Sequence, residues 1–152
     1  MIKNSSTLNI RVLPFNDVVK RPILLKKLRQ LTIYPYSGMN YELNRMERDA
    51  KHRTVQCKVL LAYRERKLVG WGMLSKETTD FEFANTGFGF NTGQGILFEI
   101  FVDPNYRRQG IGSQLMKVAR RKAGSSRLCV CPHDYASDRF YSNFEHYKHQ
   151  KL

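Results

Sequence analysis

Residues 96–123 read ILFEIFVDPNYRRQGIGSQLMKVARRKA, and this stretch decides the fold of the 152-residue chain. It begins with an apolar run, ILFEIFV (96–102), of the length of a buried strand, and ends with GIGSQLMKVARRKA (110–123), which has helical periodicity. Between them, RRQGIG (107–112) puts two arginines and two glycines at the turn from strand to helix. Because the first N–H groups of a helix have no intrahelical partner and glycine lets a ligand approach them, the stretch predicts an anion-binding turn.

The glycine pattern alone does not identify the anion. No Gly-Lys-Ser/Thr follows Gly112, which argues against a P-loop, and the glycine spacing is not that of a dinucleotide-binding fingerprint. A tight turn with purely structural glycines would explain the same pattern, so other parts of the sequence are needed to distinguish an anion-binding turn from a structural one.

The remaining sequence predicts one α/β domain over residues 1–152, with a mixed central sheet flanked by helices. The predicted elements are a strand in TLNIRVLPF (7–15), a helix through RPILLKKLRQL (21–31) capped by Asn16 or Asp17, a helix in MNYELNRMERDAKH (39–52), a hairpin of TVQCKVLLAY (54–63) and KLVGWGMLS (67–75), the strand 96–102, the helix 110–123, a short strand RLCVC (127–131) and a last helix through YASDRFYSNF (135–144) capped by Asp134.

Charge is unevenly distributed along the chain. The net charge is +13, and residues 1–75 hold 15 Lys and Arg against 5 Asp and Glu, a net of +10, while residues 76–152 hold 11 against 8, a net of +3. The N-terminal excess either solvates helix faces or forms a face that meets something acidic, such as nucleic acid, a nucleotide or an acidic protein.

Composition also restricts the compartment and the metal chemistry. No window approaches about 18 uninterrupted apolar residues, so we expect no membrane span, and MIKNSSTLNI lacks the apolar run of a secretory signal. Cys57, Cys129 and Cys131 are odd in number, and the CVC spacing is not that of a zinc site. We therefore expect a cytoplasmic protein with reduced thiols and no metal; strand packing is the first interpretation of the cysteines, and a reactive Cys131 near a thioester is the second.

Together, these features resemble the acetyl-CoA-binding segment of the GNAT superfamily of N-acetyltransferases. The family pattern is an apolar strand ending in Val-x-Pro, then Arg/Gln-x-x-Gly-x-Gly/Ala, then an amphipathic helix. Here Val102 to Pro104 and Arg107 to Gly112 supply it. RFYSNF supplies the aromatic-Tyr pair of the family's last helix as Phe140 and Tyr141.

The resemblance implies an acetyltransferase with acetyl-CoA as co-substrate and an amine as acceptor. It implies that the backbone N–H groups from Gln109 to Ser113 hold the CoA pyrophosphate, with Arg107 and Arg108 beside it. It also implies that the backbone of one strand segment pairs with the pantetheine arm. The implied cofactor-binding residues are Ile100, Phe101, Val102, Arg107, Arg108, Gln109, Gly110, Ile111, Gly112 and Ser113.

Catalytic roles also come from the resemblance. Tyr141 matches the general acid that protonates the departing CoA thiolate, although a packed aromatic is the alternative. Glu99 lies in the strand where several family members carry an acidic group facing the acceptor, and its alternative is a structural ion pair. His133 is a second candidate base, and a water chain is a third.

The C-terminus departs from the family pattern, which leaves the acceptor side open. FEHYKHQKL replaces the usual Gly-Phe and the strands after it, so we expect the final strands to be shortened or missing, with the open edge covered by a second subunit in a homodimer. The acceptor stays unidentified, and an anionic or nucleic-acid-linked amine fits the N-terminal charge. The alternative function is a non-enzymatic binder that uses the same scaffold and its basic N-terminal face to bind nucleic acid or an acidic protein.

Overall fold

One six-stranded sheet organises the fold, with the strands in the order β1-β2-β3-β4-β5-β6. The computed structural model describes residues 7–31, 38–75, 95–123, 128–130 and 147–149, and of these only the backbone at 38–42, 95–99, 128–130 and 147–149. The elements in chain order are β1 (Leu8–Pro14), α1 (Phe15–Val19), α2 (Pro22–Leu31), α3 (Gly38–Asp49), β2 (Cys57–Arg64), β3 (Lys67–Ser75), β4 (Gly95–Val102), a 3-10 turn (Pro104–Tyr106), α4 (Ile111–Ala123), β5 (Leu128–Val130) and β6 (Tyr147–His149).

The sheet is mixed, as the sequence predicts. Strands β1 to β4 pair antiparallel in succession, whereas β5 runs parallel to β4 and β6 runs parallel to β5. The hairpin of β2 and β3 turns at Glu65, whose φ of 55° is in the left-handed region. The strand that ends at the glycine-rich turn is therefore an interior strand, held between β3 and β5.

Helices cover both faces of the sheet, because side chains alternate between the faces of a strand. Val59 and Leu61 of β2 join a buried cluster with residues of α1, α2 and α3. Leu60 and Ala62 of the same strand belong to the opposite cluster, which α4 completes. This double burial explains why LLAY in β2 is apolar without interruption.

The helical residues between β1 and α3 form two helices where the sequence predicts one with a side-chain cap. α1 ends at Val19 and α2 begins at Pro22, since a proline fits only the first turn of a helix. The predicted cap is wrong: Pro14 occupies the N-cap of α1 and makes no side-chain cap. Asn16 instead accepts a hydrogen bond from the backbone N–H of Val55 through Oδ1, at 2.9 Å.

In the C-terminal part, the structure describes β5 and β6, and the expected shortening of the final strands stays a prediction. β5 and β6 each contain three residues, and the predicted last helix over 135–144 lies outside the described residues. No helix in the described part of the chain has the length and apolar character needed to cross a membrane. The predicted homodimer stays a prediction.

Candidate functional site

The turn between β4 and α4 is held by backbone hydrogen bonds at its first residues. The N–H of Asp103 donates to Val69 O on β3 at 2.8 Å, and the N–H of Tyr106 donates to Asp103 O at 2.8 Å. The Asp103 carboxylate accepts from the N–H of Asn105 at 2.9 Å. Pro104 lies at the start of the 3-10 turn, where its missing N–H costs no hydrogen bond. The path of the chain from β4 into the arginine pair is thereby defined.

The second half of the turn uses two left-handed residues. Arg108 has a φ of 65° and Gly110 a φ of 79°. Gln114 N–H donates to Gly110 O at 3.0 Å, which is the first hydrogen bond of α4. The N–H groups of Ile111, Gly112 and Ser113 precede this bond and have no partner within the helix. They form the positive end of the helix dipole, and the first turn of α4 contains no acidic residue.

Positive side chains surround these N–H groups. Arg107 and Arg108 are both exposed, and Arg107 Nε donates to Val102 O at 3.2 Å, which holds Arg107 beside the end of β4. On the β1 side of α4, a cleft of about 600 Å³ extends from Gln109 and Gly110 and includes Arg64 and Arg121 but no carboxylate among its lining residues. The turn thus lies in a region of positive charge suited to an anion.

The strand leading into the turn pairs with β3 up to its end and with the described part of β5 at its start. β4 pairs with β5 at Gly95, Ile96 and Leu97, and among the described residues this pairing stops there. On its other side, β4 pairs with β3 up to Val102. The segment from Ile100 to Val102 therefore has a strand partner on one side, and no described strand lies on the other.

A bulge lies at the same point of β4. Gly72 pairs with Ile100 and Leu74 pairs with Leu97, so two β4 residues, Phe98 and Glu99, stand opposite Met73 alone. A bulge bends its strand and increases the local twist. This bulge directly follows the last described pair between β4 and β5, which is Leu97 with Val130.

The side chains of Ile100 to Val102 are used for packing. Ile100 and Val102 pack against the α4 cluster, and Phe101 packs against the cluster of α1 to α3. These side chains are partly buried against the core, so a ligand at this edge would bind mainly to the backbone, as the family resemblance implies.

Gly70 on β3 contributes to this region, although the sequence did not predict a role for it. A Cβ at this position would lie 2.8 Å from Phe101 O, 3.3 Å from Ile111 Cγ2 and 3.5 Å from Leu115 Cδ1. The signal in the sequence is the glycine pair of KLVGWGMLS, because glycine inside a strand often marks a close approach of another segment.

The predicted catalytic side chains are not described. Tyr141, His133 and Cys131 lie outside the described residues, and Glu99 is described by its backbone alone. In the described part of the chain, no three side chains among His, Cys, Asp and Glu are grouped so as to hold a metal ion. The described geometry therefore concerns the cofactor side of the predicted site.

Comparison with known proteins identifies the family. The profile of the Acetyltransferase (GNAT) family matches residues 25–145, which is most of the chain and includes both the turn and Tyr141. The chain belongs to this family. No curated protein sequence matches it.

Solved structures agree on the fold. An aminoglycoside N-acetyltransferase in complex with CoA matches with a TM-score of 0.62 and 15% identity, over 100% of this chain and 95% of that one. An aminoglycoside acetyltransferase from an uncultured soil metagenomic sample, in complex with sisomicin, has a TM-score of 0.57 and 19% identity, over 95% and 92%. A ribosomal-protein-alanine N-acetyltransferase from Brucella melitensis has a TM-score of 0.53 and 20% identity, over 91% and 90%.

Proposed function

We propose that this protein is an acetyl-CoA-dependent N-acetyltransferase that moves the acetyl group from the CoA thioester to an amine by direct attack. The observation that carries the proposal is the adjacency of two features: the positively charged turn of residues 107–113, and the β4 edge beyond Leu97, which β5 leaves unpaired within the described residues. Acetyl-CoA needs both, because its pyrophosphate is joined to an arm that contains amide groups.

The pyrophosphate would bind at the N–H groups of residues 109–113. Apart from its two chain neighbours, no described residue has an atom within 4 Å of the point that a Cβ of Gly110 would occupy, so the described residues leave the approach to these N–H groups open. Oriented N–H groups and a helix dipole favour a phosphate at this point. Arg107 is held by its bond to Val102 O, and it supplies charge beside the phosphate together with Arg108.

The pantetheine arm would pair with the backbone of Ile100 to Val102 in the manner of an added strand. The core packing of these three side chains supports this, since only N–H and C=O groups are left for such a ligand. The bulge opposite Met73 bends β4 just before this segment, and such a bend would give the arm room beside the strand.

The transfer conserves atoms and protons at each step. The amine nitrogen attacks the thioester carbonyl carbon, a C–N bond forms, and the C–S bond breaks to release the CoA thiolate. The Tyr141 phenol donates its proton to the thiolate, and the proton lost by the amine passes to Glu99 or to a water chain. Both roles rest on the resemblance of sequence, with His133 as the alternative base.

The acceptor is an amine of unassigned identity. Relatives of similar fold act on aminoglycosides and on the alanine of a ribosomal protein. Exposed cations on α2 and just before it disfavour a polycationic acceptor on that side; they are Lys20, Arg21, Lys26 and Lys27. They favour an amine that carries or adjoins negative charge, including one linked to nucleic acid.

The same face supports a second candidate function, that of a non-enzymatic binder of nucleic acid or an acidic protein. Ile23 on α2 is 75% exposed, and Lys26 and Lys27 follow it on the exposed side of the helix. An apolar side chain surrounded by cations is suited to contact with an acidic surface. Absence of acetyl-CoA binding would favour this second function.

The proposal is tested with acetyl-CoA and the Tyr141→Phe variant. Acetyl-CoA at 100 times its Kd stabilises a protein that binds it only when folded by about 2.7 kcal/mol, so the Tm should rise. Labelled acetyl-CoA is then incubated with amines, peptides, nucleotides and tRNA. With the best acceptor, Tyr141→Phe should lose about two to four orders of magnitude in kcat with CoA affinity unchanged, because one proton donor is removed.

Two results would contradict the proposal in different ways. If acetyl-CoA does not raise the Tm of the wild type, the protein does not bind the cofactor, and the proposed acetyltransferase activity is contradicted. If wild type and Tyr141→Phe turn over equally fast, the protein is still an acetyltransferase, but Tyr141 is a packing residue and not the general acid.

A further inference from the structure

We propose that Gly70 on β3 is a positioning residue of the acetyl-CoA site: its missing side chain sets the height of the first turn of α4 above the end of β4. This inference rests on the proposed function, because it concerns the same cofactor site. Gly70 itself is buried and would touch no part of the cofactor.

A β carbon at this position would meet two parts of the site at once. It would lie 2.8 Å from Phe101 O and 3.3 Å from Ile111 Cγ2. The first neighbour is a backbone atom of the segment proposed to pair with the pantetheine arm. The second belongs to the first residue of α4, whose N–H is among those proposed to bind the pyrophosphate. One added methyl group would press on both parts of the cofactor site.

The neighbouring residue holds the start of the same turn. Ala62 pairs with Gly70 and Tyr63 pairs with Leu68, which makes Val69 the extra residue of a bulge in β3. Val69 O accepts the N–H of Asp103 at 2.8 Å. Two adjacent β3 residues therefore position the turn between β4 and α4. Val69 accepts a hydrogen bond from Asp103, the first residue of the turn, and Gly70 lets α4, which follows the turn, approach the sheet.

This arrangement has a consequence for binding. The N–H groups at the start of α4 and the backbone of Ile100 to Val102 must lie at the spacing that separates a pyrophosphate from the adjoining arm. α4 packs on the sheet through Ile111 and Leu115, and both side chains lie over Gly70. A methyl group there would raise the helix or displace the Phe101 carbonyl, and either movement would change that spacing.

The test compares Gly70→Ala with Val59→Ala. Val59 is fully buried in the cluster on the other face of the sheet, so its truncation lowers stability without touching α4. We expect the Kd of acetyl-CoA to rise by about 10-fold to 100-fold in Gly70→Ala, because a displacement near 1 Å can cost about 100-fold. The amide resonances of residues 110–113 should shift. Val59→Ala should lower the Tm and keep wild-type affinity and wild-type resonances at 110–113.

A folded Gly70→Ala with wild-type affinity, or with unmoved resonances at 110–113, would overturn the inference. If the wild type binds no acetyl-CoA, the proposed function fails, and the resonances still decide whether Gly70 sets the turn. If Gly70→Ala does not fold, Gly70→Ala with Ile111→Ala removes the nearest helix contact of the new methyl group, which is Ile111 Cγ2 at 3.3 Å, and retains the contact with Phe101 O at 2.8 Å. This double variant should bind acetyl-CoA at least about 10-fold more weakly than its control, Ile111→Ala, and equal affinity would overturn the inference.

Discussion

At Gly110, two point substitutions can separate the effect of an added negative charge from the effect of the backbone conformation. Its φ of 79° lies in the left-handed region, which strains most side chains. The described residues nonetheless leave the space around it open, since none of them beyond its chain neighbours lies within 4 Å of a Cβ there. Asparagine tolerates this conformation better than most residues, and aspartate has the same shape with a negative charge. Comparing an asparagine with an aspartate at this position therefore distinguishes the effect of the negative charge from that of the backbone conformation.

Gly110→Asp should lose acetyl-CoA binding, and Gly110→Asn should retain most of it. A carboxylate about 5 Å from a phosphate costs about 3 kcal/mol at an effective dielectric constant of 20, which corresponds to on the order of 100-fold in Kd. Isothermal titration of the two variants measures the difference. Equal Kd values for the two would show that the turn does not hold the pyrophosphate.

Helices α2 and α3 are joined by one arginine. Arg29 donates to Asn44 Oδ1 from Nη2 at 3.0 Å and from Nε at 3.2 Å, and it forms an ion pair with Glu47. The side chains of Arg29 and Glu47 are 36% and 34% exposed, so solvent screens the pair. The cation of Arg29 is thus engaged in holding two helices together and is part of the structure of the N-terminal half.

Arg29→Ala should lower the free energy of unfolding by about 1 kcal/mol, through the lost hydrogen bonds and a screened ion pair. Lys26→Ala is the matched control, because Lys26 is exposed on the same helix; it should change stability by less than about 0.5 kcal/mol. Urea denaturation measures both. If the two variants lose the same stability, Arg29 does not join α2 to α3.

At the scale of the whole molecule, the described cations divide into those that are paired with a carboxylate and those that have no carboxylate partner among the described residues. Arg45 and Arg53 both bind Asp49, at 3.1 Å and 3.3 Å. Lys20, Lys26 and Lys27, by contrast, are exposed on or beside α2. The number of cations available to an acidic partner is therefore smaller than the net charge of +13 suggests.

Reversing Lys20, Lys26 and Lys27 to Glu together should raise the KM of an anionic acceptor and leave the Kd of acetyl-CoA unchanged. The KM of the wild type should also rise steeply with salt, because displaced counterions drive such binding. A control with the same change in net charge reverses Lys51, Lys58 and Arg66, which are exposed elsewhere. Equal effects of the two triple variants, or a KM indifferent to salt, would mean that the α2 charges only solvate the helix.

Much of the fold was predictable because it depends on local chemistry. The strand predicted at 96–102 is observed at Gly95–Val102, and the helix predicted at 110–123 is observed at Ile111–Ala123. Apolar periodicity and glycine placement act over a few residues, so they are readable from the chain. The family is likewise carried by contiguous residues, Val102 to Gly112. The catalytic assignments of Tyr141 and Glu99 stay predictions.

Contacts between distant segments were decided by the tertiary structure. Asn16 binds Val55 and does not cap its own helix, β4 contains a bulge opposite Met73, and Gly70 lies beneath Ile111. Each depends on which strands pair and in what register, and these follow from the packing of both faces of the sheet at once. By itself, the sequence determined most of the elements, the position of the glycine-arginine turn between β4 and α4, and the family, while anion binding at that turn stays a prediction. Only the tertiary structure decided how closely β3, β4 and α4 approach one another, because that distance is set by side chains, or their absence, on separate segments of the chain.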